Sequence, residues 1–177
     1  MPLEMFERAA GAAAGLARSV RPDQLSLGTP CSEWEVAALL EHMAGGPTYL
    51  SDALGVDARS DSRWPEQGAI EAVAALLKEP GALDRRCMSP AGFEWSVAEA
   101  AAGTAMDQLI HTWDLAVALG AARTLDAEVV DAVVSMFLPQ MPEVGRQAGF
   151  VGAAVEVGEG ASVQDVLLGA MGRDPRR

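Results

Sequence analysis

The run from Ser96 to Gly120 does most to restrict how this chain can fold. Ser96-Val97-Ala98-Glu99 has the spacing of a capping box, in which the serine oxygen accepts an orphan amide proton and the glutamate reaches back to the amide of the cap itself. The helical period that follows is unbroken by proline, and Gly120 suits the left-handed position that closes a helix. Such a helix is about 35 Å long at roughly 1.5 Å rise per residue, so the remaining segments must pack around it as a spine.

Leu3, Phe6, Ala10, Ala13, Ala17 and Val20 step by three and four, which predicts a first helix ending before Arg21-Pro22. Ser32-Glu33-Trp34-Glu35 repeats the capping-box spacing and predicts a second helix from near Glu33, with Val36, Leu39, Leu40 and Met43 inward. Gly45-Gly46-Pro47 should kink or interrupt it, because proline cannot donate to the Met43 carbonyl, before it resumes through Leu54. After a polar loop, Asp57 to Arg63, a third helix is expected from about Glu66 to Lys78, closed by Pro80-Gly81. Arg85 to Trp95 reads as irregular, with room for a short strand. A fifth helix is expected from about Ala127 to Leu138, stopped by Pro139, and a short last one opens at Ser162 and ends near Gly172. Gly149 to Gly160, between them, is glycine-rich and reads as extended. The expectation is an all-α protein, a helical bundle with long connections in one domain over residues 1–177.

Charge and hydropathy narrow the functional classes. Half of the 177 residues are hydrophobic, enough for a core without disulfides or a structural metal. The 13 basic residues face 25 acidic ones, a net charge of −12 that repels phosphate backbones, so no nucleic-acid partner is expected. The longest charge-free stretch, Ala132 to Pro142, is far short of the roughly 20 residues that span a bilayer, so no membrane association is expected. Glu4 and Glu7 stand where a secretory leader would need positive charge, which points to a cytoplasmic protein. Cys31 and Cys87 form no spacing motif and are expected as free thiols.

The chemistry-bearing residues are few. The chain has two histidines, His42 in LLEHMAGG and His111 in DQLIHTWDLAVALG. On a helix Asp107 and His111 project about 40° apart, with Asp114 between them in azimuth. Asp107 and His111 can therefore chelate one cation from one helix wall, and His42 on a neighbouring helix completes a facial set of two histidines and a carboxylate with open positions left over. Ala100, Gly103 and Ala118 share that stripe, and Gly45 and Gly46 lie a turn beyond His42, so small residues should clear space there. The alternative is a core histidine at His111 hydrogen-bonded to Asp107 or Asp114, with His42 at a helix surface.

TPCSEWEVAALLEHMAGG (29 to 46), DQLIHTWDLAVALG (107 to 120) and the terminal GRDP (172 to 175) resemble the DinB-like superfamily, specifically the metal-binding proteins related to the N-terminal domain of mycothiol-dependent maleylpyruvate isomerase. The resemblance implies a four-helix bundle core and a divalent metal held by His42, Asp107 and His111. The metal is commonly zinc in that group, with nickel or another transition metal as alternatives. Asp107 stands where the isomerase has glutamate, one methylene longer, and the isomerase carries a further C-terminal domain. Asp114 could replace Asp107 as ligand or accept the other ring proton of His111; the resemblance places the ligand at Asp107 and so favours the second role.

Two functions follow as expectations. In the first, the metal stabilises a low-molecular-weight thiol such as mycothiol as its thiolate and presents it to a small electrophile, for isomerisation or S-transfer. In the second, the same site belongs to a non-catalytic metal- or ligand-binding module with a regulatory role, a homodimer being its expected assembly. No general acid or base can be named. Cys31, beside the expected cap Ser32, is either a reactive thiol or a small buried hydrophobe, and the second reading is preferred. Trp34, Trp95 and Trp113 are expected as core, and Arg85-Arg86 as a solvated loop.

Overall fold

A computed structural model describes residues 1–57 and 62–177, which fall into two compact units, Met1–Thr124 and Leu125–Arg177. The centre of the expected loop from Asp57 to Arg63 lies outside the described residues. The protein is mostly helical, as the all-α expectation holds.

The first unit contains α1 (Pro2–Ala17), α2 (Val36–Ala53), α3 (Gln67–Leu77), β1 (Arg86–Met88), β2 (Glu94–Ser96) and α4 (Val97–Leu119). Both halves of the capping box form at the start of α4: Ser96 Oγ accepts the Glu99 amide at 3.2 Å, and Glu99 Oε2 accepts the Ser96 amide at 2.7 Å. Gly120 closes the helix at φ 64°, in the left-handed region where a side chain would be strained. α4 packs on α1 and α2, and α3 packs on both of those, so the four helices form a ring. α4 is buried on nearly every side from Val97 to Ala116, which suits a helix that is apolar or small almost all round. α1 lies close against it because the facing residues are Ala9, Ala10, Ala13, Ala14 and Ala17, all buried. Leu39, Leu40 and Met43 of α2 are fully buried, each contributing about 1.5–3 kcal/mol.

Two expectations about α2 need correction. It does not start at Glu33 with a capping box from Ser32; it starts at Val36 with Glu35 at the cap, which makes no side-chain cap. The first amides are satisfied by preceding backbone instead, Val36 N–H donating to the Leu27 carbonyl at 2.9 Å and Ala37 N–H to that of Leu25 at 3.0 Å. Residues 29–34 are thereby released into a turn. Of the kink or interruption expected at Pro47, the interruption does not occur: the helix runs through the proline, which is buried within it. The Met43 carbonyl that the proline leaves without a donor receives Gln108 Nε2 of α4 at 2.8 Å. Gly46 permits that approach, since a Cβ there would stand 2.9 Å from Gln108 Nε2 and from Thr104 Cγ2. The glycine is a contact point between helices and not cleared space.

The segment before α4 is an antiparallel hairpin, β1 on β2, with Cys87 opposite Trp95. Trp95 is buried, and its ring fills the position of a Cβ on Gly103, 2.6 Å away, so the room left by Gly103 is also occupied. Arg85 donates to the Leu54 carbonyl at 2.6 Å and so caps the C-terminus of α2, while Arg86 pairs with Glu94 at 3.4 Å. Both are exposed, as expected, but each has a partner, and Arg86 lies on a strand instead of in a loop.

The second unit holds α5 (Ala127–Phe137), α6 (Met141–Gln147) and α7 (Val163–Ala170), with α5 packed on α7. Asp126 caps α5 and Ser162 caps α7 through their side chains. Pro139 follows the end of α5 as expected, but α6 begins directly after it with Pro142 in its first turn, a favoured place for proline that the sequence reading missed. No helix among the described residues is long and apolar enough to cross a membrane.

Candidate metal centre

The site lies where α2 and α4 meet the turn over residues 29–34. Asp107 and His111 stand one turn apart on α4, and His42 faces them from α2. His42 Nε2 is 3.1 Å from Asp107 Oδ1, and His111 Nε2 is 3.4 Å from the same oxygen. The other ring nitrogen, His111 Nδ1, is 2.9 Å from Asp114 Oδ2. Burial divides the set: Asp114 is fully enclosed and the His111 side chain is 9% exposed, whereas those of Asp107 and His42 are 36% and 39% exposed.

Donors sharing one cation at about 2.0–2.1 Å lie roughly 2.9–3.4 Å apart, between octahedral and tetrahedral angles. The 3.1 and 3.4 Å separations fit that range. Both imidazoles offer Nε2, and the bond from His111 Nδ1 to Asp114 fixes ring orientation and tautomer, as carboxylates behind metal-binding histidines do. The arrangement can hold a metal ion, with His42, Asp107 and His111 as donors and Asp114 behind them.

Electrostatics reinforce the geometry. Burial alone would push the Asp107 carboxyl up, but the charge of His111 and hydrogen bonds from both histidines hold it well below the usual carboxylate range. Burial likewise opposes charge on His111, and the Asp107 charge, with hydrogen bonds to Asp107 and Asp114, overturns it and raises that histidine well above its ordinary value. Without metal, Asp107 and His111 thus behave as an ion pair across the site.

Two contributors were underestimated from sequence. Cys31 is not an isolated hydrophobe: its Sγ lies 3.3 Å from Asp114 Oδ2 and 3.9 Å from His111 Nδ1. Trp34 packs against the core at its edge, half-buried, and also lies against both imidazoles, with ring centroids 4.7 Å from His42 and 5.6 Å from His111. The misassigned capping box hid both, because a helix from Glu33 would carry Trp34 on its first turn. A turn closed by Thr29, whose hydroxyl accepts the Cys31 amide at 3.1 Å, aims both residues inward. Trp113 is buried as expected. Tyr49, two turns beyond His42 on α2, is engaged elsewhere: its hydroxyl donates to the Met88 carbonyl at 2.9 Å and accepts Trp95 Nε1 at 2.8 Å. Burial pushes that hydroxyl well above its ordinary range, so it stays protonated.

No family model matches the chain, and no solved structure matches it. Two curated proteins do: Uncharacterized protein MT0763 from Mycobacterium tuberculosis (strain CDC 1551 / Oshkosh) and Uncharacterized protein Rv0738 from Mycobacterium tuberculosis (strain ATCC 25618 / H37Rv). Each is 35% identical over 133 residues, covering 72% of this chain and 72% of the relative. That identity over most of both lengths makes the relation one of descent: the chain belongs to the same family as these two mycobacterial proteins.

Proposed function

We propose that this protein binds one divalent transition metal, with zinc the best match to two imidazoles and a carboxylate, and uses it to activate a small thiol of the mycothiol type toward a small electrophile, as an isomerase or S-transferase. The observation that carries this reading is the convergence of His42 Nε2 and His111 Nε2 on one oxygen of Asp107. When bound, the ion would supply the positive charge that favours sulfur as thiolate, the form that attacks carbon. His111 is the rigid post of the site, held by packing and by Asp114. His42 and Asp107 form its open rim, where an incoming small molecule can reach the donors. Trp34 adds an apolar wall beside that rim. A DinB-like fold is part of the same proposal, supported by the ring of four helices with donors on α2 and α4.

The test is to incubate zinc-loaded protein with a panel of low-molecular-weight thiols and an α,β-unsaturated carboxylate and follow loss of the electrophile. Thiol-dependent consumption that disappears in His42→Ala supports the enzymatic reading. Consumption that persists in His42→Ala contradicts the assignment of the chemistry to this site, and absence of consumption with every thiol leaves a non-catalytic metal-binding module.

A further inference from the structure

The two nitrogens of His111 face two different donor groups. Nε2 looks toward Asp107 and His42; Nδ1 looks toward Asp114 Oδ2 at 2.9 Å and Cys31 Sγ at 3.9 Å, and Cys31 Sγ is itself 3.3 Å from Asp114 Oδ2. On the Nδ1 side, therefore, one sulfur, one nitrogen and one carboxylate oxygen lie within 3.9 Å of one another. A zinc-sized tetrahedral cation, with sulfur at about 2.3 Å and nitrogen or oxygen at about 2.0–2.1 Å, places sulfur roughly 3.5 Å from its co-ligands, a value that the two sulfur separations straddle, while the 2.9 Å between Nδ1 and Asp114 Oδ2 is the hydrogen bond that an ion would replace.

The sulfur is held in place by its own backbone. The Cys31 amide donates to the Thr29 hydroxyl at 3.1 Å, and the Cys31 carbonyl accepts the Trp34 amide at 2.8 Å. Asp114 is fully buried and His111 nearly so, so the donor set is rigid on the helix side and reached through the half-buried cysteine.

We propose that Cys31, His111 Nδ1 and Asp114 form a second metal site, selective for a thiophilic cation of the cadmium or copper(I) kind, and that its occupation excludes the His42–Asp107–His111 site. The exclusion follows from valence. A neutral imidazole has one lone pair to give and one N–H to donate. With metal at Nε2, the Nδ1 proton goes to Asp114; with metal at Nδ1, the Nε2 proton goes to Asp107. Each carboxylate is a ligand in one state and a proton acceptor in the other. Binding there releases two protons to water, one from the Cys31 thiol, because the coordinating sulfur is the thiolate, and one from His111 Nδ1, whose lone pair the metal takes while Nε2 keeps its proton toward Asp107. Ligand softness selects the side: thiolate and imidazole favour a soft ion, and two imidazoles with a more exposed carboxylate favour zinc. The second site shares His111 with the proposed function but needs neither His42 nor catalysis, so the two can fail separately.

Cadmium is the probe, and its thiolate-to-metal charge-transfer absorbance in the ultraviolet is the readout on metal-free, full-length protein. The band should saturate at one ion per chain in the parent, persist in His42→Ala and Cys87→Ser, and vanish in Cys31→Ser. Asp114→Asn should bind cadmium at least about tenfold more weakly. A parent without the band overturns the site whatever the variants do, as does a band that survives Cys31→Ser or is lost in Cys87→Ser. Zinc and cadmium bound together, at two ions per chain, overturns the exclusion. Unchanged zinc binding in His42→Ala counts against the proposed function alone and leaves the cadmium result standing.

Discussion

Asp107 and Gln108 are consecutive residues of α4, both polar and both directed at α2, yet they meet it in opposite ways. Gln108 is buried, and its amide repairs one defined fault, the Met43 carbonyl left without a donor by Pro47. Its bonding capacity is spent on the fold. Asp107 sits at the rim, and two imidazoles from different helices aim the same nitrogen at one of its oxygens. A polar side chain that satisfies a backbone group is a structural repair. Several titratable side chains converging on one atom at an accessible edge suit a bound ion.

That contrast can be broken most sharply at His42. Because its side chain is exposed, His42→Ala should fold as the parent does while losing the metal's stabilising effect. Zinc at a hundredfold excess over its dissociation constant should stabilise the parent by about 2.7 kcal/mol and the variant by nothing, read from thermal melts with and without metal. An equal rise in both would place the ion elsewhere.

Next in size is the effect of pH on binding. In metal-free protein His111 is raised above its ordinary value, so its pairing contributes stability below about pH 6.5 that fades as pH rises through the raised folded value. Asp107 is held down, so its contribution is present above about pH 3.9 and lost as pH falls further. Zinc must displace the His111 proton, so its affinity should rise roughly tenfold per pH unit while that proton is held. Isothermal titration at several pH values checks the slope, and a flat profile would remove His111 from the donors.

On the Gln108 side, Gln108→Leu leaves the Met43 carbonyl buried without a donor. A loss of about 1–3 kcal/mol in denaturant unfolding is expected, with zinc stoichiometry unchanged. The smallest effect sharpens the same boundary. Gly46→Ala places a Cβ 2.9 Å from Gln108 Nε2 and Thr104 Cγ2 and should cost about 1–3 kcal/mol. Gly45→Ala meets nothing within 4 Å and should gain about 0.5–1 kcal/mol from helix propensity. Opposite signs at adjacent glycines would show that α2 approaches α4 on one side only.

Local signals read well where they were sufficient in themselves. The Ser96–Glu99 box, Gly120, the α1 stripe and the placement of Asp107 and His111 on one helix wall depend on spacings of three and four residues, which a helix turns directly into neighbours. The readings that failed depended on distant chain. Ser32 has the cap spacing, but the carbonyls of Leu25 and Leu27 reach the α2 amides first. Pro47 carries an interruption signal, but a glutamine 61 positions later supplies the missing donor. Gly103 looked like empty space, which Trp95 fills from the hairpin. The role of Cys31 was illegible for the same reason: its partners His111 and Asp114 come to it only through the packing of α2 on α4.

Whether His42, Asp107 and His111 hold a metal together is decided first by elemental analysis of protein produced without a histidine tag, beside His42→Ala and His111→Ala. The parent should carry about one equivalent of a divalent transition metal, zinc foremost, and either variant none. Parent protein that emerges metal-free and takes up no added zinc would contradict the shared site, leaving Asp107 and His111 as an ion pair within a helical fold.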